Sequence, residues 1–144
     1  MPVPWIVLGL PILISYRIVV EWVLCIELPW GVTLGPNARI HHGFGTVVNN
    51  KVRIGSNVLL RNGTTIGVKR NSEFGATDVP VIGDSVDIGA NVVIIGRIRI
   101  GNHVTIGAGS VVLTDVPDYA VVVGNPARII RINDPMGAAL PRAN

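Results

Sequence analysis

From residue 32 onward one period governs the chain. Aliphatic-glycine pairs, or their equivalents, stand at Ile54-Gly55, Leu60-Arg61 and Ile66-Gly67. They resume at Ile82-Gly83, Ile88-Gly89, Ile94-Ile95, Ile100-Gly101, Ile106-Gly107 and Val112-Leu113. Within each block the step is six. Two residues before each pair sit Val52, Val58, Thr64, Pro80, Val86, Val92, Ile98, Val104 and Ser110. Upstream, Leu34-Gly35 and Ile40-His41 keep the step, and the phase slips once between Ile40 and Ile54. An α-helix has no use for a period of six with glycine at each return. A hairpin sheet would alternate at two, without the fixed glycine. A parallel β-helix uses the pattern directly: each hexad gives one short strand and one turn, and three hexads close a triangular coil. The expected class is therefore all-β, with the aliphatic residues pointing inward and stacking coil on coil. The glycine is expected to serve the turn's special backbone geometry. Such coils contact only their neighbours, so both ends need covering. The period itself does not fix the hand of the coil.

The stretch "GVKRNSEFGATDVP", residues 67–80, breaks the period and predicts an extended loop thrown out from one corner. Pro117 and Pro126 are expected to end the repeat. The domain reading is an apolar N-terminal segment over 1–28, the β-helix over 29–132 and a frayed tail over 133–144. In the first segment, Pro11, Arg17 and Glu21 interrupt the apolar run, which argues against a spanning helix. No basic start or small-residue cleavage site suggests a secretory signal. The first reading is one or two short helices that cap the core or pack on a partner subunit, with Arg17 and Glu21 sharing a face. The second is an interfacial helix at a membrane. Composition supports the β reading: 49% apolar residues, only 5% aromatic, and 17 glycines. The net charge of +3 comes without a Lys/Arg block, so no nucleic-acid partner is expected. Cys25 is alone, which rules out an internal disulfide, and it is expected to be buried as a small hydrophobe. A reducing cytoplasm is the expected compartment, at the inner face of the membrane on the interfacial-helix reading.

The string "IGDSVDIGANVVIIGRIRIGNHVTIGAGSVVLTDVPDYAVVVGNPARII" resembles the hexapeptide-repeat acyltransferases, and "GAGSVV" followed by "VPDYAVVVGNPARII" is similar to that family's closing signature. "IHHGFGTVVNNKVRIG" resembles the active-site segment of the serine O-acetyltransferase branch. Acetyltransferases of exopolysaccharide biosynthesis, of the colanic-acid type, are more similar still. The resemblance covers about Leu13 to Ile132. It implies a left-handed parallel β-helix, a homotrimer with clefts between prisms, acetyl-CoA as donor and a histidine as general base.

A neutral imidazole suits that task, because its pKa lies near neutrality and it can take a proton from an attacking hydroxyl. The resemblance puts His42 at the catalytic position, three residues before a glycine. It puts Glu27, fifteen residues upstream, at the position of the carboxylate partner. Glu27 lies in the apolar stretch "CIELPW", and a buried carboxylate needs a partner. His41 falls where the serine enzymes carry an aspartate and is assigned to the acceptor or the cleft lining. His103 is expected at a solvent-facing rim. For coenzyme A, the matched positions are Ala90 and Ala108, with Gly67 beside a third at Val68, where the family has glycine. Arg128 and Lys69 or Arg70 are candidates for the phosphates. Asp78 and Val79 stand where the serine enzymes carry an Arg-His pair that engages the amino acid. An acid there repels a carboxylate, so the favoured acceptor is a sugar hydroxyl, with serine or a xenobiotic as alternatives and a non-catalytic scaffold last. The β-helical zinc enzymes need a histidine pair five apart in the later coils; the chain has none, and no metal is expected.

Overall fold

The computed structural model describes residues 5–69 and 78–133. The hexads become short strands in chain order. Coil one holds β1 (Thr33–Leu34), β2 (Arg39–His41) and β3 (Val47–Val48), and coil two holds β4 (Arg53–Ile54), β5 (Leu59–Arg61) and β6 (Thr65–Gly67). Coil three holds β7 (Val81–Ile82), β8 (Asp87–Ile88) and β9 (Val93–Ile95), and coil four holds β10 (Arg99–Ile100), β11 (Thr105–Ile106) and β12 (Val111–Val112). β13 (Ala120–Val123) and β14 (Arg128–Ile132) follow. Sheet one stacks β1-β4-β7-β10, sheet two stacks β2-β5-β8-β11-β13-β14, and sheet three stacks β3-β6-β9-β12. Every rung is parallel except the last, where β14 runs back antiparallel to β13. Pro117 therefore does not end the coil. It sits in a turn, and β13 continues sheet two beyond it; the reversal comes only after Pro126.

The register explains the period. Ile54, Ile82 and Ile100 stack on sheet one, Leu60, Ile88 and Ile106 on sheet two, and Ile66, Ile94 and Val112 on sheet three. All nine are buried. Each contributes about 1.5–3 kcal/mol by leaving water.

The turns correct the expectation about glycine. Positive φ falls not on the glycine of the pair but two residues later, at Asn57, Ser85 and His103. The glycine is needed for close approach between coils. A Cβ on Gly55 would lie 2.5 Å from the Gly83 carbonyl oxygen, and one on Gly89 would lie 2.5 Å from the Ala108 nitrogen. Side-chain caps reinforce this edge: Asp84 Oδ1 accepts from the Ser56 N–H at 2.7 Å, and Asn102 Oδ1 accepts from the Asp84 N–H at 2.8 Å.

The N-terminal segment forms helix α1 (Trp5–Tyr16), with Pro11 inside it, continued by a wider π-helical segment, Arg17–Val23. The expected Arg17–Glu21 pair is present at 3.0 Å. Tyr16 lies against Trp30, with ring centroids 5.4 Å apart. Otherwise the segment leaves Leu10, Leu13, Ile14 and Trp22 exposed. Coil pairing begins at Glu27, bridged to Val47, slightly before the expected boundary at residue 29. Cys25 is exposed rather than buried, because it sits in a turn on the open end of the coil at φ 51°. No helix among the described residues is long and apolar enough to cross a membrane. The expected loop falls largely on residues 70–77, and the tail on 134–144; both ranges lie outside the described residues.

Candidate active site

The phase slip is the site's first determinant. His41 pairs in register with Arg61, and the next matched residues are Phe44, whose carbonyl accepts from the Gly63 N–H at 2.9 Å, and Gly45, which shares positive φ with Gly63. Between these matched points coil one carries two extra residues, His42 and Gly43. The slip thus lies in the turn between sheets two and three. Gly43 is wedged in: a Cβ there would come within 2.8 Å of both Ile26 Cδ1 and Ile40 Cγ2. His42 is exposed at φ 54°, in the left-handed region where histidine is tolerated better than most residues.

Glu27 lies one rung below this turn. Its N–H donates to the Thr46 carbonyl at 2.8 Å, and its own carbonyl accepts from Val48 at 2.9 Å. The backbone therefore holds it beside the strand that follows His42. Its side chain is exposed, contrary to expectation, because no further rung covers that end. Among the described residues its carboxylate makes no hydrogen bond to His42. It lines a groove of about 820 Å³ with Arg17, Glu21, Trp22, Cys25 and Trp30. His41 ends β2 and is exposed.

Sequence reasoning missed Arg61. It stands one rung above His41, and its guanidinium is ion-paired to Asp87 and donates to the Ile88 carbonyl at 3.3 Å. The signal was available: in Leu60-Arg61 a charged residue occupies the glycine's slot. Thr46 was also missed. At this edge the equivalent hydroxyls donate three residues back, Thr64 to Arg61 O at 2.7 Å and Ser110 to Gly107 O at 2.6 Å. Thr46, fully buried beside the insertion, has no partner for its Oγ1 among the described residues.

Ala90 and Ala108 lie on the same edge as His42, stacked through the Gly109 N–H to the Ala90 carbonyl at 2.8 Å. Gly67, Lys69 and Asp78 lie on a different edge, between sheets three and one. Space beside Gly67 is open: a Cβ there would have nothing within 4 Å. Asp78 is buried and lines a small cavity with Lys69, Arg97 and Leu113. Arg128 opens β14, exposed. Arg70 lies outside the described residues. His103 is exposed and stacked on Tyr119 at 4.8 Å, on the edge between sheets one and two, away from His42. One chain therefore gathers His42, Ala90 and Ala108, and holds Gly67, Lys69 and Asp78 apart.

Comparison with known proteins sharpens this picture. Residues 80–114 match the family model described as bacterial transferase hexapeptide (six repeats). The chain is 44% identical over 119 residues to a protein of Escherichia coli K12 named as colanic acid biosynthesis acetyltransferase WcaB, covering 83% of this chain and 72% of that one. It is 42% identical over 106 residues to a serine acetyltransferase of Staphylococcus aureus, covering 74% of this chain and 49% of the relative. Among solved structures, serine acetyltransferase of Brucella abortus in complex with coenzyme A superposes with a TM-score of 0.67 at 38% identity, over 69% of this chain and 39% of that one.

Proposed function

As a member of the hexapeptide-repeat acetyltransferases, the chain is an acetyl-transfer enzyme, and we propose that it O-acetylates a sugar hydroxyl in surface-polysaccharide assembly. The observation that carries this reading is the two-residue insertion, which lifts an exposed His42 out of an otherwise regular edge that also bears Ala90 and Ala108. The match to a relative named for colanic acid biosynthesis supports the sugar acceptor.

In the proposed mechanism acetyl-CoA is the donor. Neutral His42 takes the proton from the acceptor hydroxyl as its oxygen attacks the thioester carbonyl. Backbone N–H groups of the turns stabilise the tetrahedral oxyanion. Collapse expels the thiolate of coenzyme A, and the imidazolium returns the proton to it. Glu27, one rung below, orients the ring and stabilises its charged form when the cleft closes around it. Because the candidate residues lie on two different edges, the complete site forms where one protomer's histidine edge meets a neighbour's Gly67 edge. The assembly proposed is a homotrimer of left-handed coils.

Serine is the second reading, favoured by the match to serine acetyltransferase. Against it, the position that would meet the amino acid's carboxylate carries the acid Asp78, and that residue is buried. The test is coenzyme A release with nucleotide-linked or lipid-linked sugars and with serine, on wild type and His42→Ala. Turnover of sugars, lost by a factor of about 10²–10⁴ in the variant, is the expected result. Faster turnover of serine would transfer the proposal to the second reading, and full activity in His42→Ala would remove the base.

A further inference from the structure

The outer face of sheet one carries a basic groove that adjoins the cavity of Lys69 and Asp78 and shares Arg97 with it. Lys51 and Arg53 stand on coil two's approach and first strand, and Arg97 and Arg99 occupy the matching places two rungs on. The intervening rung is apolar, with Val79 and Val81. These residues line a groove of about 830 Å³. All four cationic side chains are exposed, and none has an acidic partner among the described residues. The one acid in the wall, Asp115, is occupied in part by the Arg99 backbone N–H at 2.8 Å. Like charges gathered on one face repel one another, so an anionic ligand would relieve them.

The spacing narrows the ligand. Adjacent strands lie about 4.8 Å apart, so the two basic pairs are centred about 10 Å apart. A single phosphate fills one pair and leaves the other empty. A ligand with charges separated by a neutral stretch meets both pairs and rests that stretch on Val81. Topology adds a second constraint: His42 lies in the turn between sheets two and three, opposite sheet one in the same protomer. The groove that meets His42 in the proposed assembly is therefore the neighbour's, which borders that protomer's Gly67 edge, and a long acceptor extends from the site into it.

We propose that sheet one is a holding site for an acidic polysaccharide acceptor, with each basic pair engaging one charged sugar unit. This rests on the sugar-acceptor reading above. The probes are a long galacturonate oligomer, a galacturonate dimer, a neutral dextran oligomer of equal length and inorganic pyrophosphate, with binding measured by calorimetry. The long oligomer is expected to bind best, more weakly as salt rises. Arg53→Ala/Arg99→Ala is expected to weaken it about tenfold or more, since two charge-assisted contacts go. Lys51→Ala should weaken it by a smaller factor, since one contact goes. Lys51, Arg53 and Arg99 are exposed and lie outside the cavity of Lys69 and Asp78, so folding is preserved and the KM for acetyl-CoA is expected to stay unchanged. In turnover, the variants should raise KM for long acceptors while leaving kcat and short acceptors alone. Equal binding of dextran, competition by pyrophosphate as strong as by the long oligomer, or a raised KM for acetyl-CoA would each overturn the holding site. Binding of the oligomer by a wild type that acetylates only serine would sink the acceptor reading and leave the groove standing. Acetylation of long saccharides unaltered in both variants would sink the groove and leave the acceptor reading intact.

Discussion

Thr46 makes the insertion's local cost visible. Its hydroxyl is buried without a partner among the described residues, whereas Thr64 and Ser110 satisfy theirs one turn back along the same edge. A buried unsatisfied polar group costs about 1–3 kcal/mol. Thr46→Val, nearly the same in shape, is therefore expected to raise stability by about 1 kcal/mol in urea unfolding, with acetyl transfer retained. A loss of stability would mean that the hydroxyl has a partner after all. Glycines separate into two kinds on the same grounds. Gly55→Ala drives a methyl into the next coil and should cost about 1–3 kcal/mol. Gly67→Ala meets open space, so stability should hold while KM for acetyl-CoA rises. The sequence pattern marks both positions identically, as an Ile-Gly pair. What distinguishes them is the neighbouring coil, which lies eighteen or more residues away and leaves no local trace.

At the scale of the element, the period alone was enough to place the inward ladders, since Ile54, Leu60, Ile66 and their successors all stack as their spacing requires. The same arithmetic bracketed the slip between Ile40 and Ile54 but could not pin it. The reason is that Val48 is followed by Asn49 rather than glycine, so the strand after the histidines lacks the usual marker. Only the pairing of His41 with Arg61 shows that the surplus is His42-Gly43. A deletion tests this assignment. Removing both residues restores the spacing seen from Leu60 to Thr64, with Phe44 and Gly45 falling opposite Asn62 and Gly63. The shortened protein is expected to keep the β-sheet circular-dichroism spectrum and a melting temperature at or above wild type, and to lose acetyl transfer. Collapse of the fold on deletion would show that the bulge is part of the coil's structure and not an addition to it.

The whole molecule poses the problem of its apolar N-terminal helix. Its side chains at Leu10, Ile12, Leu13, Ile14 and Trp22 are at least 48% exposed in the single chain, and apolar positions recur around the helix rather than on one stripe. A helix apolar on all sides is stable in water only when other surfaces cover it. Arg17 and Glu21 neutralise each other within the segment, which lowers the cost of covering them. The sequence identified this demand but not what meets it, because the covering surface belongs to another molecule and has no register in this chain. If neighbouring protomers of the proposed trimer supply the cover, the full chain should sediment without lipid at three times 15.3 kDa. A variant lacking residues 1–23 should then dissociate toward the single-chain mass and lose activity in proportion, since each proposed site draws residues from two protomers. If a membrane supplies it instead, the truncated form stays trimeric and active on soluble acceptors, while the full chain floats with phospholipid vesicles. Sedimentation of the two forms, with and without vesicles, separates these outcomes; the proposed two-edged site is compatible with both, and the first is the expected one.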